Sequence, residues 1–98
     1  MSYKLIVQQE TLDDLQEAFD YYEAQQSQLG TTFILSFQKQ AQLIEQNPHL
    51  FQVIYRRKRR AMLKKFQYHI IYEIEENTIR ISAVIHSSRH PKRWQKRR

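Results

Sequence analysis

The 98-residue chain has no cysteine, which excludes a disulfide framework and thiolate chemistry and leaves its stability to packing or to a partner. One glycine and two prolines are too few for a phosphate-cradling glycine loop, a long flexible linker or a collagen-like segment. Long apolar runs are missing as well. Polar residues interrupt each run within a few positions, so no spanning helix or secretory leader is expected, and the cytoplasm is the expected location. His86, His90 and Glu73 fall into no standard metal-ligand spacing, so neither a metal nor a cofactor is expected. Positive charge is scarce in one half only. Residues 1–50 carry Lys4 and Lys39 against seven carboxylates, a formal −5, whereas residues 51–98 carry fourteen cations against three carboxylates, a formal +11. The overall +6 hides this division, which gives one part of the chain a strong field for polyanions or acidic proteins.

What is present fits one domain over residues 1–98, with an apolar content of 41% to fill a single core and a basic tail at residues 89–98. Tyr3, Leu5 and Val7 alternate with polar or flanking positions and predict a strand over residues 2–8. Thr11 has the chemistry of a helix cap, with Asp14 three residues on as the reciprocal carboxylate. Leu12, Leu15, Phe19 and Tyr22 then recur at helical spacing. A second helix, from about Thr32 to Gln46, turns Phe33, Ile34, Phe37, Ala41 and Ile44 inward and stops at Asn47-Pro48. Four short β-rich segments follow: Leu50 to Tyr55, Arg60 to Lys64, Tyr68 to Ile74 and Thr78 to Ile85. The expected fold is α+β, an N-terminal strand and an antiparallel helical hairpin packed on one face of a mainly antiparallel sheet. Strict alternation would turn Ile79, Ile81, Ala83 and Ile85 to the helices and Arg80, Ser82, Val84 and His86 away from them. His69 and His86 would then share the open face with the basic stretch.

Arg56, Arg57, Lys58, Arg59 and Arg60, followed by Lys64 and Lys65, form an unusually concentrated run beside Tyr55, Phe66 and Tyr68. Cations next to aromatic rings suit phosphate neutralisation and base stacking, or an acidic protein partner; a solvated turn is the plainer reading. His69 and Arg93 join the same contact set, and Trp94 reads either as a packing anchor or as a stacking platform. Arg97 and Arg98 read as a loose positive end, and Asp14 and Glu17 as cap and solvent-face carboxylates. An RNA-cleaving centre needs a base, an acid and cations around one phosphate. His86 is the candidate for proton transfer, Arg89, Arg60 and Lys64 for charge, and Tyr68 or Tyr72 for proton donation. A structural or partner-binding role for His86 stands beside that one.

The stretch TLDDLQEAFDYYEAQ, then LGTTFILSFQKQAQLIEQNP, then RRAMLKKFQYHIIYEIEENTIRISAVIHSSRHP, orders paired helices, a basic strand, a tyrosine-bearing strand and a strand ending in His and Arg. In this order the chain resembles the RelE/ParE superfamily of small toxins from bacterial type II toxin–antitoxin systems, and its ParE-like branch more closely. The resemblance implies an α+β toxin fold and a cognate antitoxin, which in a toxin–antitoxin hetero-oligomer wraps the positive face and the helical hairpin with an acidic or amphipathic segment. RelE-like members cut messenger RNA on the ribosome, and ParE-like members poison DNA gyrase. His69 stands where RelE-like enzymes have a phosphate-stabilising arginine, and no tyrosine follows Arg89 to match their C-terminal catalytic one. Arg60, Phe66, Tyr68, Tyr72, His86 and Arg89 match the ParE-like pattern. The implied function is growth inhibition through gyrase or a similar macromolecular target. Metal-independent, ribosome-dependent mRNA cleavage is the alternative, and a non-toxic RNA-binding or adaptor domain a third; no membrane partner is implied.

Overall fold

The computed structural model describes residues 2–97. Strand β1 (Lys4–Val7) leads into helices α1 (Gln9–Gln25) and α2 (Leu29–Gln46); strands β2 (Val53–Tyr55), β3 (Lys58–Met62), β4 (Tyr68–Glu75) and β5 (Thr78–His86) follow, and a short helix α3 (Lys92–Gln95) comes last. The strands form one sheet in the order β1-β5-β4-β3-β2. β1 runs parallel to β5, with Val7 opposite Ile81, and the remaining pairs are antiparallel. Among the described residues no helix is long and apolar enough to cross a membrane.

The helical hairpin covers one face of the sheet because its apolar residues recur once per turn. Leu15 and Ala18 of α1, and Phe33, Phe37, Ala41 and Ile44 of α2, pack on Ile70, Tyr72, Ile79, Ile81 and Val84. Tyr22, Phe33, Phe66 and Tyr68 add a ring cluster in which Phe33 lies 5.2 Å from Phe66 and 4.9 Å from Tyr68, centroid to centroid. The helices approach closely at the only glycine. A Cβ at Gly30 would come 2.7 Å from the Phe19 carbonyl oxygen. Glu23 of α1 accepts the Gln28 and Gly30 amide hydrogens at 2.9 and 3.0 Å, so one helix caps the start of the other.

Two local expectations are corrected. Gln8, not Thr11, stands at the N-cap of α1; Thr11 is buried inside the helix and its hydroxyl donates to the Ile81 carbonyl at 2.9 Å. The alternation of β5 also breaks. Tyr72 pairs with Ile81 and Ile71 with Ala83, leaving Ser82 as the extra residue of a β-bulge. Beyond it the parity reverses: Val84 faces the helices, while Ala83 and Ile85 face away. There they join Ile71 under Trp94, with Ile54 and Tyr55 alongside, so α3 covers part of the face left open by the hairpin.

Candidate target-contact site

The bulge decides where His86 lies. In place of the expected open face beside His69, it sits on the helical side across from Tyr68, with ring centroids 5.3 Å apart and planes at 89°. Together with Glu17 of α1 and with Arg89 and Arg93 beyond β5, these two residues line a cleft. The Ser88 amide donates to His86 Nδ1 at 3.1 Å, and the Ser88 hydroxyl lies 2.8 Å from the same atom. With Nδ1 accepting, the neutral ring carries its proton on Nε2. Arg89 Nη2 lies 3.7 Å from Glu17 Oε1 in an exposed ion pair. Burial holds the Tyr68 phenol above its ordinary value; Tyr22 and Glu17 add to the effect, and Arg89 opposes it. Tyr68 therefore remains a hydroxyl donor at neutral pH.

The other residues expected in a cleavage centre lie elsewhere. Arg60 is opposite Ile71 in the sheet and so projects from the face away from the hairpin. Lys64 and Lys65 sit on the turn between β3 and β4, where with Lys39 they edge a groove lined by Leu35, Leu43, Leu63 and Phe66. Tyr72 is buried and donates to the Pro48 carbonyl at 2.7 Å, which removes it as a proton donor for any ligand.

Much of the basic run is engaged within the protein. Arg57 donates to the Ile74 carbonyl at 3.1 Å, and Arg59 to the Phe51 and His49 carbonyls at 2.7 and 3.3 Å. Lys58, expected as a polyanion contact, is buried with its ammonium 3.3 Å from Glu73. By alternation along β3 Lys58 shares the face of Arg60, on the side of the sheet away from the hairpin. Arg56 is exposed, its guanidinium 5.3 Å from the Tyr55 ring centre. His69 Nε2 is buried without a hydrogen-bond partner among the described residues, and burial, then Arg60 and His86, push the ring below its ordinary pKa. Trp94, expected as a contact residue, is 7% exposed and meets Tyr55 edge-on at 5.8 Å; the packing reading holds.

Sequence reasoning missed two residues. Arg97 is no loose end, and Asp14 is neither cap nor solvent-face carboxylate: Arg97 Nη1 and Nη2 lie 2.5 and 3.1 Å from the Asp14 oxygens. The Asp14 hydrogen bond is the largest cause holding the guanidinium above its ordinary pKa, although burial works against it. A separation of 83 positions left no local signal for this pair.

The family described as "ParE toxin of type II toxin-antitoxin system, parDE" matches residues 5–91. The chain belongs to the ParE toxin family. Toxin ParE2 of Mycobacterium tuberculosis strain CDC 1551 / Oshkosh is 32% identical over 92 residues, covering 93% of this chain and 88% of that protein. Toxin ParE2 of strain ATCC 25618 / H37Rv matches to the same extent. A solved structure titled "Chromosomal ParDE TA system from P. aeruginosa" superposes with a TM-score of 0.78 at 12% identity, covering 87% of this chain and 96% of that one. That likeness is one of fold. In this ParE-family chain, the cleft at the end of β5 is built by the chain's own residues on that fold.

Proposed function

We propose that this ParE-family toxin arrests growth by binding DNA gyrase, or a comparable macromolecular target, through the cleft at the end of β5. The observation that carries the reading is the grouping of Tyr68, His86, Arg89 and Arg93 around one cleft while Arg60 and Lys64 lie away from it. Phosphodiester cleavage requires cations, a base and an acid around the same phosphate. Here the cleft offers two guanidiniums and a protonated phenol as donors, while the Glu17 carboxylate is paired with Arg89 and His86 Nδ1 is engaged by the Ser88 amide. Such a set suits inhibitory binding more than turnover.

A cognate antitoxin neutralises the toxin in a hetero-oligomer. The groove of Leu35, Leu43, Leu63 and Phe66, edged by Lys39, Lys64 and Lys65, supports this part of the reading, since an amphipathic helix with an acidic flank matches an apolar floor with a cationic rim.

The test is expression with and without the antitoxin, followed by parallel measurement of gyrase-trapped DNA and of messenger RNA ends. The expected result is gyrase-linked DNA breaks with uncut messages. His86→Ala and Arg89→Ala are each expected to weaken target binding about ten-fold, the equivalent of about 1.4 kcal/mol, to reduce growth arrest accordingly and still to bind antitoxin. Cut messages with intact DNA would replace the gyrase reading by ribosome-dependent cleavage. Nucleic-acid binding without growth arrest would indicate an adaptor.

A further inference from the structure

Strand β1 stops at Val7 opposite Ile81, so the edge of β5 beyond that point has no parallel strand to bond. The bulge at Ser82 falls at this same place. The Ile81 carbonyl accepts from the Gln8 amide at 3.2 Å and from Thr11 Oγ1 at 2.9 Å, and past it side chains take over: Asp14 Oδ2 accepts from the Val84 amide at 3.0 Å, and Arg97 Nη1 donates to the Ser82 carbonyl at 3.1 Å. Arg97 and Asp14 also grip each other through both carboxylate oxygens, with their side chains only 13% and 11% exposed. Glu10 adds a longer contact, its Oε2 3.9 Å from Arg97 Nε. From the far side of the sheet, Lys58 Nζ reaches Ser82 Oγ at 3.5 Å, and that hydroxyl donates to the Ile71 carbonyl at 3.3 Å.

This clamp bears on the cleft because the bulge sets the phase of the rest of β5. Without the extra residue, Ala83 and Ile85 would follow Ile81 onto the helical face, and His86 would point to the opposite one. With it, Val84 enters the core and His86 meets Tyr68. A planar guanidinium can satisfy two carboxylate oxygens and a carbonyl at once, which a lysine ammonium at the same reach does with poorer geometry.

We propose that Arg97, acting through Asp14 on the Ser82–Val84 segment, is a positioning residue that holds His86 in the target-contact cleft. Its effect on growth rests on the function proposed above for that cleft; its effect on geometry does not.

The test uses the full chain, isotopically labelled, with Arg97→Ala, Asp14→Asn and His86→Ala made separately. Asp14→Asn retains an acceptor for the Val84 amide while removing the ion pair. Hydrogen exchange at Val84 and the nuclear Overhauser contact between the His86 and Tyr68 rings report the geometry; the Ile70 and Ile79 methyl resonances report the core. In Arg97→Ala the Val84 amide is expected to exchange about ten-fold faster. In both clamp variants the ring contact is expected to be lost with core resonances intact, and growth arrest to fall to the level of His86→Ala. Unchanged Val84 exchange and ring contact in Arg97→Ala would overturn the inference, whatever growth does. Loss of the ring contact while His86→Ala still arrests growth would uphold the positioning and reject His86 as a target contact. Failure of both clamp variants to fold would make the pair a folding determinant and overturn the positioning role.

Discussion

Lys58 Nζ lies 3.3 Å from Glu73 Oε1, with the two side chains 6% and 15% exposed, so the middle of the most basic run in the chain is an internal ion pair. An isolated buried ammonium is costly, and pairing with a neighbouring-strand carboxylate offsets that cost. The positive field attributed to Arg56 through Arg60 is correspondingly thinner than their number implies. Arg57 and Arg59 are spent on carbonyls, which leaves Arg56 and Arg60 as the freer guanidiniums of the run.

Glu73→Gln is expected to weaken the buried contact of Lys58 and to destabilise the fold by roughly 1–3 kcal/mol, because the ammonium exchanges a charged acceptor for a neutral one. Urea unfolding midpoints measure this. The double change Lys58→Met with Glu73→Leu is expected to recover most of the loss. An unchanged midpoint in Glu73→Gln would mean that solvent screens the pair.

Gly30→Ala is expected to destabilise by about 1–3 kcal/mol, as overpacking does in a close helix contact. Alanine is otherwise the better helix former, so propensity alone predicts the opposite sign. The contact with the Phe19 backbone decides the outcome, since a carbonyl oxygen 2.7 Å from the new Cβ cannot rotate away. Thermal melting of the two chains distinguishes the signs.

Tyr72 gives the fold an alkaline limit. Burial pushes its phenol up to about 12 from 10.0, with Arg59 opposing. The unfolded phenol ionises first, so the stability it contributes is complete below pH 10.0 and is lost as pH rises through about 12. Tyr72→Phe is expected to flatten that part of the stability profile and to cost about 1 kcal/mol at neutral pH through the lost bond to Pro48. An alkaline profile identical to that of the unaltered chain would exclude Tyr72 as the titrating group.

His69 acts at the other end of the scale. Its pKa is lowered, chiefly by burial and then by Arg60, so protons favour the unfolded chain below the ordinary value of 6.5. The stability this neutral ring contributes is expected to be present above that pH and to fade as pH falls. His69→Gln is expected to show a shallower decline between about pH 7 and pH 5 in chemical denaturation. Equal slopes would place the acid sensitivity elsewhere.

The elements themselves were legible in the chain. Phe33, Phe37, Ala41 and Ile44 return once per helical turn, and Ile70, Tyr72 and Ile74 alternate, so both periods announce one buried face. The cleft at the end of β5 was legible in part. Tyr68, His86 and Arg89 were picked out as chemistry-bearing residues, yet the face on which His86 lies was read wrongly, because alternation has no marker for an inserted residue such as Ser82. Thr11 was misread for a related reason. Its type and position suit a cap, but the Ile81 carbonyl that takes its hydroxyl lies on a strand 70 residues away.

By itself the sequence determined the α+β class, the inward faces of α2 and β4, and the division between an acidic half and a basic half, all of which are properties of neighbours along the chain. Tertiary structure alone decided which cations are available. Lys58 met Glu73 across two strands, Arg59 met the carbonyls that precede β2, and Arg97 met Asp14 across the whole fold. The physical reason is that burial, pairing and the phase of a bulged strand depend on what lies opposite, and a linear pattern of charge does not contain that.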